Sequence, residues 1–254
     1  MAKSQHGFRL GENLVWLGVT LVTLLVCVSV GSVRVPLGDT LTIIVDTVFG
    51  RPVPESIAAP AIISAVRLPR VLCVALTGAA LSLCGAAMQG LLRNPLADGS
   101  TLGVSGGASL GAVVAIVCGF SIPALPFAGT MVLAIVFAFL SLLLILTLAY
   151  RLDHSLTTST IILIGVIFSM FVSSLISLLI AFAPDKVQNI TFWTMGSLAG
   201  SSYLNALTLF AALVLCGGVL FARARELNAF GVGEDNAQHV GVTLRRVKLK
   251  VMIA

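Results

Sequence analysis

The sequence predicts an all-α polytopic membrane protein, and three observations predict it. Of its 254 residues, 58% are hydrophobic and only 10% are charged, against roughly a quarter charged in a soluble domain. The apolar residues fall in uncharged runs of about 20 or more, the length a helix needs to cross the hydrocarbon core of a bilayer. The charges are gathered between those runs. A chain so poor in charge cannot cover a water-facing surface, and its long runs point to helices rather than to the short alternating strands of a membrane barrel.

Six crossings are predicted, and the whole chain, 1–254, reads as one transmembrane domain. The first crossing covers about residues 13–33. It follows Lys3 and Arg9, yet it is longer than the roughly 7–15-residue core of a signal peptide and lacks a clear cleavage site. It therefore reads as an uncleaved span. Residues 34–65 contain Pro36, Pro52, Pro54 and Pro60 and are too interrupted to span. Within them, 39–49 suits a short interfacial helix.

The second span is about 68–92. The stretch from Thr101 to Tyr150 carries no charge and is too long for one crossing. Pro123 and Pro126 divide it into spans near 102–120 and 127–150. RLDHSLTTS turns the chain into a fifth span, about 160–182, and PDKVQN is a further turn. The sixth span begins after Thr191 and ends near Phe221, with Gly196 and Gly200 making its start irregular. The polar segment 223–244 suits two short surface helices with a turn at GVGED. RRVKLK and VMIA follow, the last reading as the opening turn of a seventh helix. A basic segment normally abuts a span, so the chain is expected to be truncated at its C-terminus.

The net charge is +5. Between apolar runs, basic residues set topology rather than bind nucleic acid. With the N-terminus inside, ten of the 15 lysines and arginines fall on the inner side. Arg67 and Arg70 are outside charges beside a span, an exception to that bias. One reading is snorkelling to headgroups; the other is docking of an acidic partner, since an arginine pairs bidentately with a carboxylate. Cys27, Cys73, Cys84, Cys118 and Cys216 lie within apolar runs, and His6, His154 and His239 are scattered. Free thiols acting as small apolar side chains are expected, and no metal site.

The segment from Arg67 to Ala112 organises the rest. Gly78, Ser82, Ala86 and Gly90 recur every four residues and share one helix face, where small side chains admit a close neighbour. Gly106, Gly107 and Gly111 belong to a second small-residue cluster, expected to pack helices rather than cradle phosphate, because no lysine accompanies it. The sequence has no Walker pattern, HExxH or GxSxG, and no paired carboxylate within a span. An ion-driven secondary transporter would carry an acidic residue there. That reading and a non-transporting scaffold are the weaker alternatives.

The blocks RLPR (67–70), GAALSLCGAAMQGLLRNPLADGSTLGVSGGASLGA (78–112), SLTTS (155–159), FWTMGSL (192–198) and GEDNAQHVGV (233–242) occur in that order. In them the chain resembles the FecCD-type permeases, membrane subunits of type II ABC importers for ferric siderophores, haem and cobalamin. The resemblance implies a ten-helix fold, of which this chain would hold six complete spans and the start of a seventh. It implies a multi-pass subunit of the bacterial inner membrane with a cytoplasmic N-terminus, moving an iron chelate inward; a ferric siderophore is expected, with haem or cobalamin as the alternatives. Implied partners are a second permease subunit, two cytoplasmic ATP-binding subunits, an extracytoplasmic substrate-binding protein and membrane lipid. The chain itself would bind no cofactor and catalyse nothing; ATP and Mg would be used by the ATPase subunits. By the same resemblance Arg67 and Arg70 would meet glutamates of the binding protein. Glu226, Leu227, Gly233, Glu234, Ala237 and Gly241, within the coupling segment 223–244, would seat on the ATPase. Thr158 and Ser159 would form the cytoplasmic gate.

Overall fold

The computed structural model of the chain describes residues 10–51, 60–122, 128–154, 156–239 and 241–254. Pro52, Pro54, Pro123 and Pro126 lie outside the described residues. The chain divides into two compact units: Met1–Ala79 with Leu198–Ala212, and Ala80–Ser197 with Leu213–Ala254.

Eleven α-helices are ordered along the described residues: α1 (Leu10–Ser29), α2 (Leu37–Phe49), α3 (Leu68–Leu92), α4 (Val104–Val117), α5 (Ala128–Leu152), α6 (Thr158–Phe182), α7 (Val187–Met195), α8 (Tyr203–Ala222), α9 (Ala224–Val232), α10 (Glu234–His239) and α11 (Leu244–Ile253). Five helical runs among the described residues are long and apolar enough to span: Leu10–Ser29, Ile62–Leu92, Gly129–Leu152, Thr158–Phe182 and Tyr203–Ala222. At most 22% of the most apolar stretch of each is buried within the chain. Lipid or other protein must cover the remainder, as in a multi-pass membrane protein.

Where six complete crossings were expected, the described residues hold five long apolar helices and one short one. The span expected near 102–120 is α4, whose 14 residues reach only about 21 Å, short of a hydrocarbon core roughly 30 Å thick. Backbone geometry shortens it. The 3₁₀ turn Gly99–Leu102 and Gly103 at φ +75° occupy its beginning, and Gly119 at φ +65° lies just past its end. The expected interfacial helix is α2, closed by Gly50 in the left-handed conformation. PDKVQN is a 3₁₀ turn, Pro184–Lys186, running into α7. Gly196 (φ +74°) and Gly200 (φ +77°) separate α7 from α8. The seventh helix starts at Leu244, earlier than expected, so RRVKLK is itself helical.

The first unit holds a small core of Val28, Val35, Ile43 and Ile63, packed by Ile44, Leu68 and Val71. Ser29 donates to the Thr40 hydroxyl at 2.9 Å, and Thr40 donates onward to the Pro36 carbonyl. Pro69 lies inside a continuous helical run rather than at a helix start. The run accommodates it by a π-helical turn, Ile62–Arg67, in which the Leu68 amide donates to the Ile63 carbonyl. A proline ring crowds the carbonyl four residues back, and a wider turn relieves it. In that register the Ser64 carbonyl would take the amide hydrogen that Pro69 lacks; it accepts the Tyr203 hydroxyl at 2.5 Å instead.

The second unit is built on the pairing of α4 with α5. Gly103, just before α4, and Gly107 and Gly111 within it recur every four residues. A methyl at Gly103 would lie 3.0 Å from both the Gly165 carbonyl of α6 and Ile145 of α5, one at Gly107 2.2 Å from the Ser141 Oγ, and one at Gly111 2.4 Å from the Leu133 carbonyl. The opposing α5 residues Ile145, Ser141, Phe137 and Leu133 step by four in reverse order, so the two helices pack antiparallel, with the glycines of α4 closely approached by α5. Gly106 faces α6 instead, with Val172 at 3.7 Å. A second core joins Met88, Leu91, Ile145, Leu156, Ile161, Phe230, Val247 and Val251.

Candidate functional site

Three clusters carry the residues singled out in the sequence, and each is built locally. The first is the arginine pair. Arg67 ends the π turn, and its guanidinium turns back onto the C-terminus of α1. It donates to the carbonyls of Val28 (3.1 Å), Ser29 (2.8 Å) and Val33. These acceptors are the unsatisfied last carbonyls of a helix and the chain just beyond it, where a cation is favoured. Gly31 leaves the room: a methyl there would sit 2.6 Å from the Arg67 Nη2. Arg70, one turn on, is exposed and makes no hydrogen bond or ion pair with the described residues. The two arginines therefore differ: Arg67 is committed within the chain and Arg70 is available to a partner.

The second cluster is the corner between α5 and α6. Asp153 Oδ2 accepts the Thr157 amide at 3.0 Å, the Thr157 hydroxyl at 2.6 Å and the Thr160 hydroxyl at 3.4 Å. A single carboxylate thus ties the turn to the first turn of α6, as an aspartate does at a helix N-terminus. Leu156 adopts φ +52° with its side chain buried. A leucine enters the left-handed region only where its surroundings hold it. Thr158 is half-buried and Ser159 exposed at the start of α6. Ser155 lies outside the described residues.

The third cluster is the polar segment, which forms the two short helices expected. Gly233, at φ +130°, hinges α9 to α10, a conformation open to glycine and few other residues. Asn236 Nδ2 caps back across the hinge to the Val232 carbonyl at 3.1 Å. Phe230 and Ala237 are fully buried and anchor the pair, whereas Val232, Asn236, Gln238 and His239 are exposed. Gly241, at φ +87°, ends the pair. Glu226 accepts the Arg223 Nη1 at 2.8 Å. That hydrogen bond, first among several causes, holds its carboxyl below the ordinary carboxylate range. A depressed pKa stabilises the folded state above the ordinary value, and this contribution fades as acid protonates the carboxyl. The backbone of α9 also approaches α3: the Leu227 carbonyl lies 4.0 Å from where a Gly90 methyl would be. The Glu234 side chain lies outside the described residues.

The two small-residue stripes separate. Gly107 and Gly111 receive α5 as expected. Gly78, Ser82 and Ala86 are exposed, with no described atom within 4 Å of a Gly78 methyl, whereas Gly90 of the same stripe meets the α9 backbone. Gly103, Asp153 and Lys248 were not among the expected site residues. Gly103 was legible in the four-residue spacing 103, 107, 111. Lys248 was hidden in a basic run that reads as solvated. Among the described residues, no group of three or more His, Cys, Asp and Glu could hold a metal ion.

Comparison with known proteins bears on these clusters. Residues 19–254 match the model of the FecCD transport family. An ABC transporter permease of Bacillus subtilis, YvrB, is 36% identical over the whole of this chain and 74% of its own length. The cobalamin import permease BtuC of Halobacterium salinarum is 34% identical over 77% of this chain, which spans 51% of that relative. The hemin transport permease HmuU of Yersinia pestis is 34% identical over 74% of this chain and 56% of its own length. A solved inward-facing ABC transporter, assigned to the metal-chelate type, superposes with a TM-score of 0.75 at 29% identity, over 94% of this chain and 72% of its own.

Proposed function

The chain belongs to the FecCD transport family as a permease of the ABC-importer kind, and from that premise we propose that it forms the path by which a metal chelate, a ferric siderophore, enters the cytoplasm. Cobalamin and haem are the alternative cargoes, after the relatives named for them. The subunit sits in the inner membrane with its N-terminus in the cytoplasm, pairs with a second permease, and binds no cofactor itself. ATP and Mg belong to two separate ATPase subunits, and a substrate-binding protein delivers the chelate from outside.

The observation that carries the reading is the helix pair α9–α10, hinged at Gly233 and anchored by Phe230 and Ala237. Its buried side shares a core with the α5–α6 corner while Val232, Asn236 and Gln238 stay exposed. A socket for an ATPase needs such a pair: rigid beneath, accessible above. Glu226, Leu227, Gly233, Glu234, Ala237 and Gly241 form or border it, and Thr158 and Ser159 stand at the gate. On the outer side Arg70 presents the charge that pairs with a carboxylate of the binding protein. Gly78, Ser82 and Ala86 offer a packing surface to a partner outside this chain.

Replacing Gly233 with leucine tests the socket. A side chain at φ +130° is strained, so the α9–α10 hinge must rearrange. The variant is expected to insert normally and to lose at least about tenfold in ATPase-subunit affinity, about 1.4 kcal/mol. Undiminished co-purification of the ATPase subunit would remove α9–α10 from the docking role.

A further inference from the structure

Lys248 is a lysine in a basic run, RRVKLK, yet it is 1% exposed. Its Nζ donates to the Leu156 carbonyl at 2.7 Å, across 92 residues of sequence. Leu156 is the left-handed residue of the α5–α6 corner, and that corner is closed by the Asp153 carboxylate. A buried ammonium is retained only where hydrogen bonds replace its water. The ammonium is thus held by the protein, with the Leu156 carbonyl among its acceptors, rather than by bulk solvent.

A second contact lies one turn earlier on α11. The Arg245 guanidinium stacks 4.4 Å from the Tyr150 ring centroid, and Tyr150 packs edge-on against His154. α11 is therefore fastened to the corner at two places, one at the end of α5 and one at the turn itself. The same helix shares its core, through Val247 and Val251, with Phe230 of α9. A continuous set of contacts runs from the exposed face of α9–α10, through Phe230 and α11, to the turn that leads into Thr158 and Ser159.

We propose that Lys248 is a positioning residue that transmits displacement of the α9–α10 pair to the α5–α6 corner, so that movement at the surface becomes movement at the gate. This rests on the import reading above and deepens it, by naming the part that joins the ATPase socket to the gate. The corner is suited to the role. Its carbonyl is presented by a strained leucine and its turn is locked by one carboxylate, so it moves as a body rather than flexing locally.

The test uses the full permease assembled with its ATPase subunit and binding protein, reconstituted in vesicles. ATP hydrolysis and uptake of a labelled ferric siderophore, cobalamin or haem are measured together for wild type, Lys248→Met, Lys248→Arg and Arg245→Ala. Lys248→Met is expected to keep ATPase-subunit binding and lower uptake per ATP hydrolysed by about tenfold, with Lys248→Arg restoring most of it. Arg245→Ala, altered at an exposed stacking contact, is expected to lower the same ratio about threefold. An unchanged ratio in Lys248→Met overturns the proposal. Should that variant fail to fold, the ratio for Arg245→Ala decides, and wild-type coupling there overturns it. Wild type that binds and hydrolyses ATP but takes up none of the three chelates would instead overturn the import reading.

Discussion

Leucine at Gly111 is expected to prevent the second unit from folding, whereas leucine at Gly78, on the other small-residue stripe and in the first unit, is expected to leave the chain folded. Even a methyl at Gly111 would lie 2.4 Å from the Leu133 carbonyl oxygen and 2.7 Å from the Phe137 Cβ. Neither neighbour is a flexible tip. The carbonyl belongs to the α5 backbone, so α5 itself must move, which also disturbs the contacts at Gly107 and Gly103. Overpacking ordinarily costs about 1–3 kcal/mol; three adjoining contacts on one ridge place this substitution at or beyond the upper end. At Gly78 no described atom lies within 4 Å. The yield of monodisperse protein in detergent, with thermal unfolding by intrinsic fluorescence, compares the two variants. A Gly111→Leu protein as stable as wild type would contradict the packing described for α4 and α5.

The arginines of RLPR are expected to fail in opposite ways. Arg67→Ala leaves the Val28, Ser29 and Val33 carbonyls without their donor. At the buried Val28 and Ser29 an unsatisfied carbonyl costs about 1–3 kcal/mol, so the first unit should lose stability. Arg67→Lys should recover part of it, because one ammonium cannot span three acceptors as a guanidinium does. Arg70→Glu removes no bond among the described residues and should fold normally. Its effect should fall on association with the binding protein, by at least about tenfold, as the charge now repels an acidic surface. Hydrogen exchange at the end of α1 and binding-protein affinity separate the cases. Equal losses of affinity with unchanged exchange in both variants would show that Arg67 is a docking residue after all.

Much of the helical order was legible because it is local. Uncharged runs mark spans, and glycines in GVGED mark the hinge between α9 and α10. What was not legible depends on partners distant in sequence or on backbone register. The shortness of α4 follows from two positive-φ glycines and a 3₁₀ turn at its ends, which an apolar run does not reveal. The π turn before Pro69 is a matter of register, and its compensation by Tyr203 comes from more than 130 residues away. The sequence presents Arg67 and Arg70 as equivalents, and only the fold of α1 back to the π turn distinguishes them. Lys248 looks like an interfacial cation until the α5–α6 corner closes over it.

The most direct measurement of the central claim is uptake itself. The full permease, with its ATPase subunit and substrate-binding protein in sealed vesicles, is offered labelled ferric siderophore, cobalamin and haem in turn. ATP-dependent accumulation of one of them, abolished without the binding protein, is the expected result. Accumulation that ignores ATP, or none of any chelate while the assembled complex hydrolyses ATP, would contradict it.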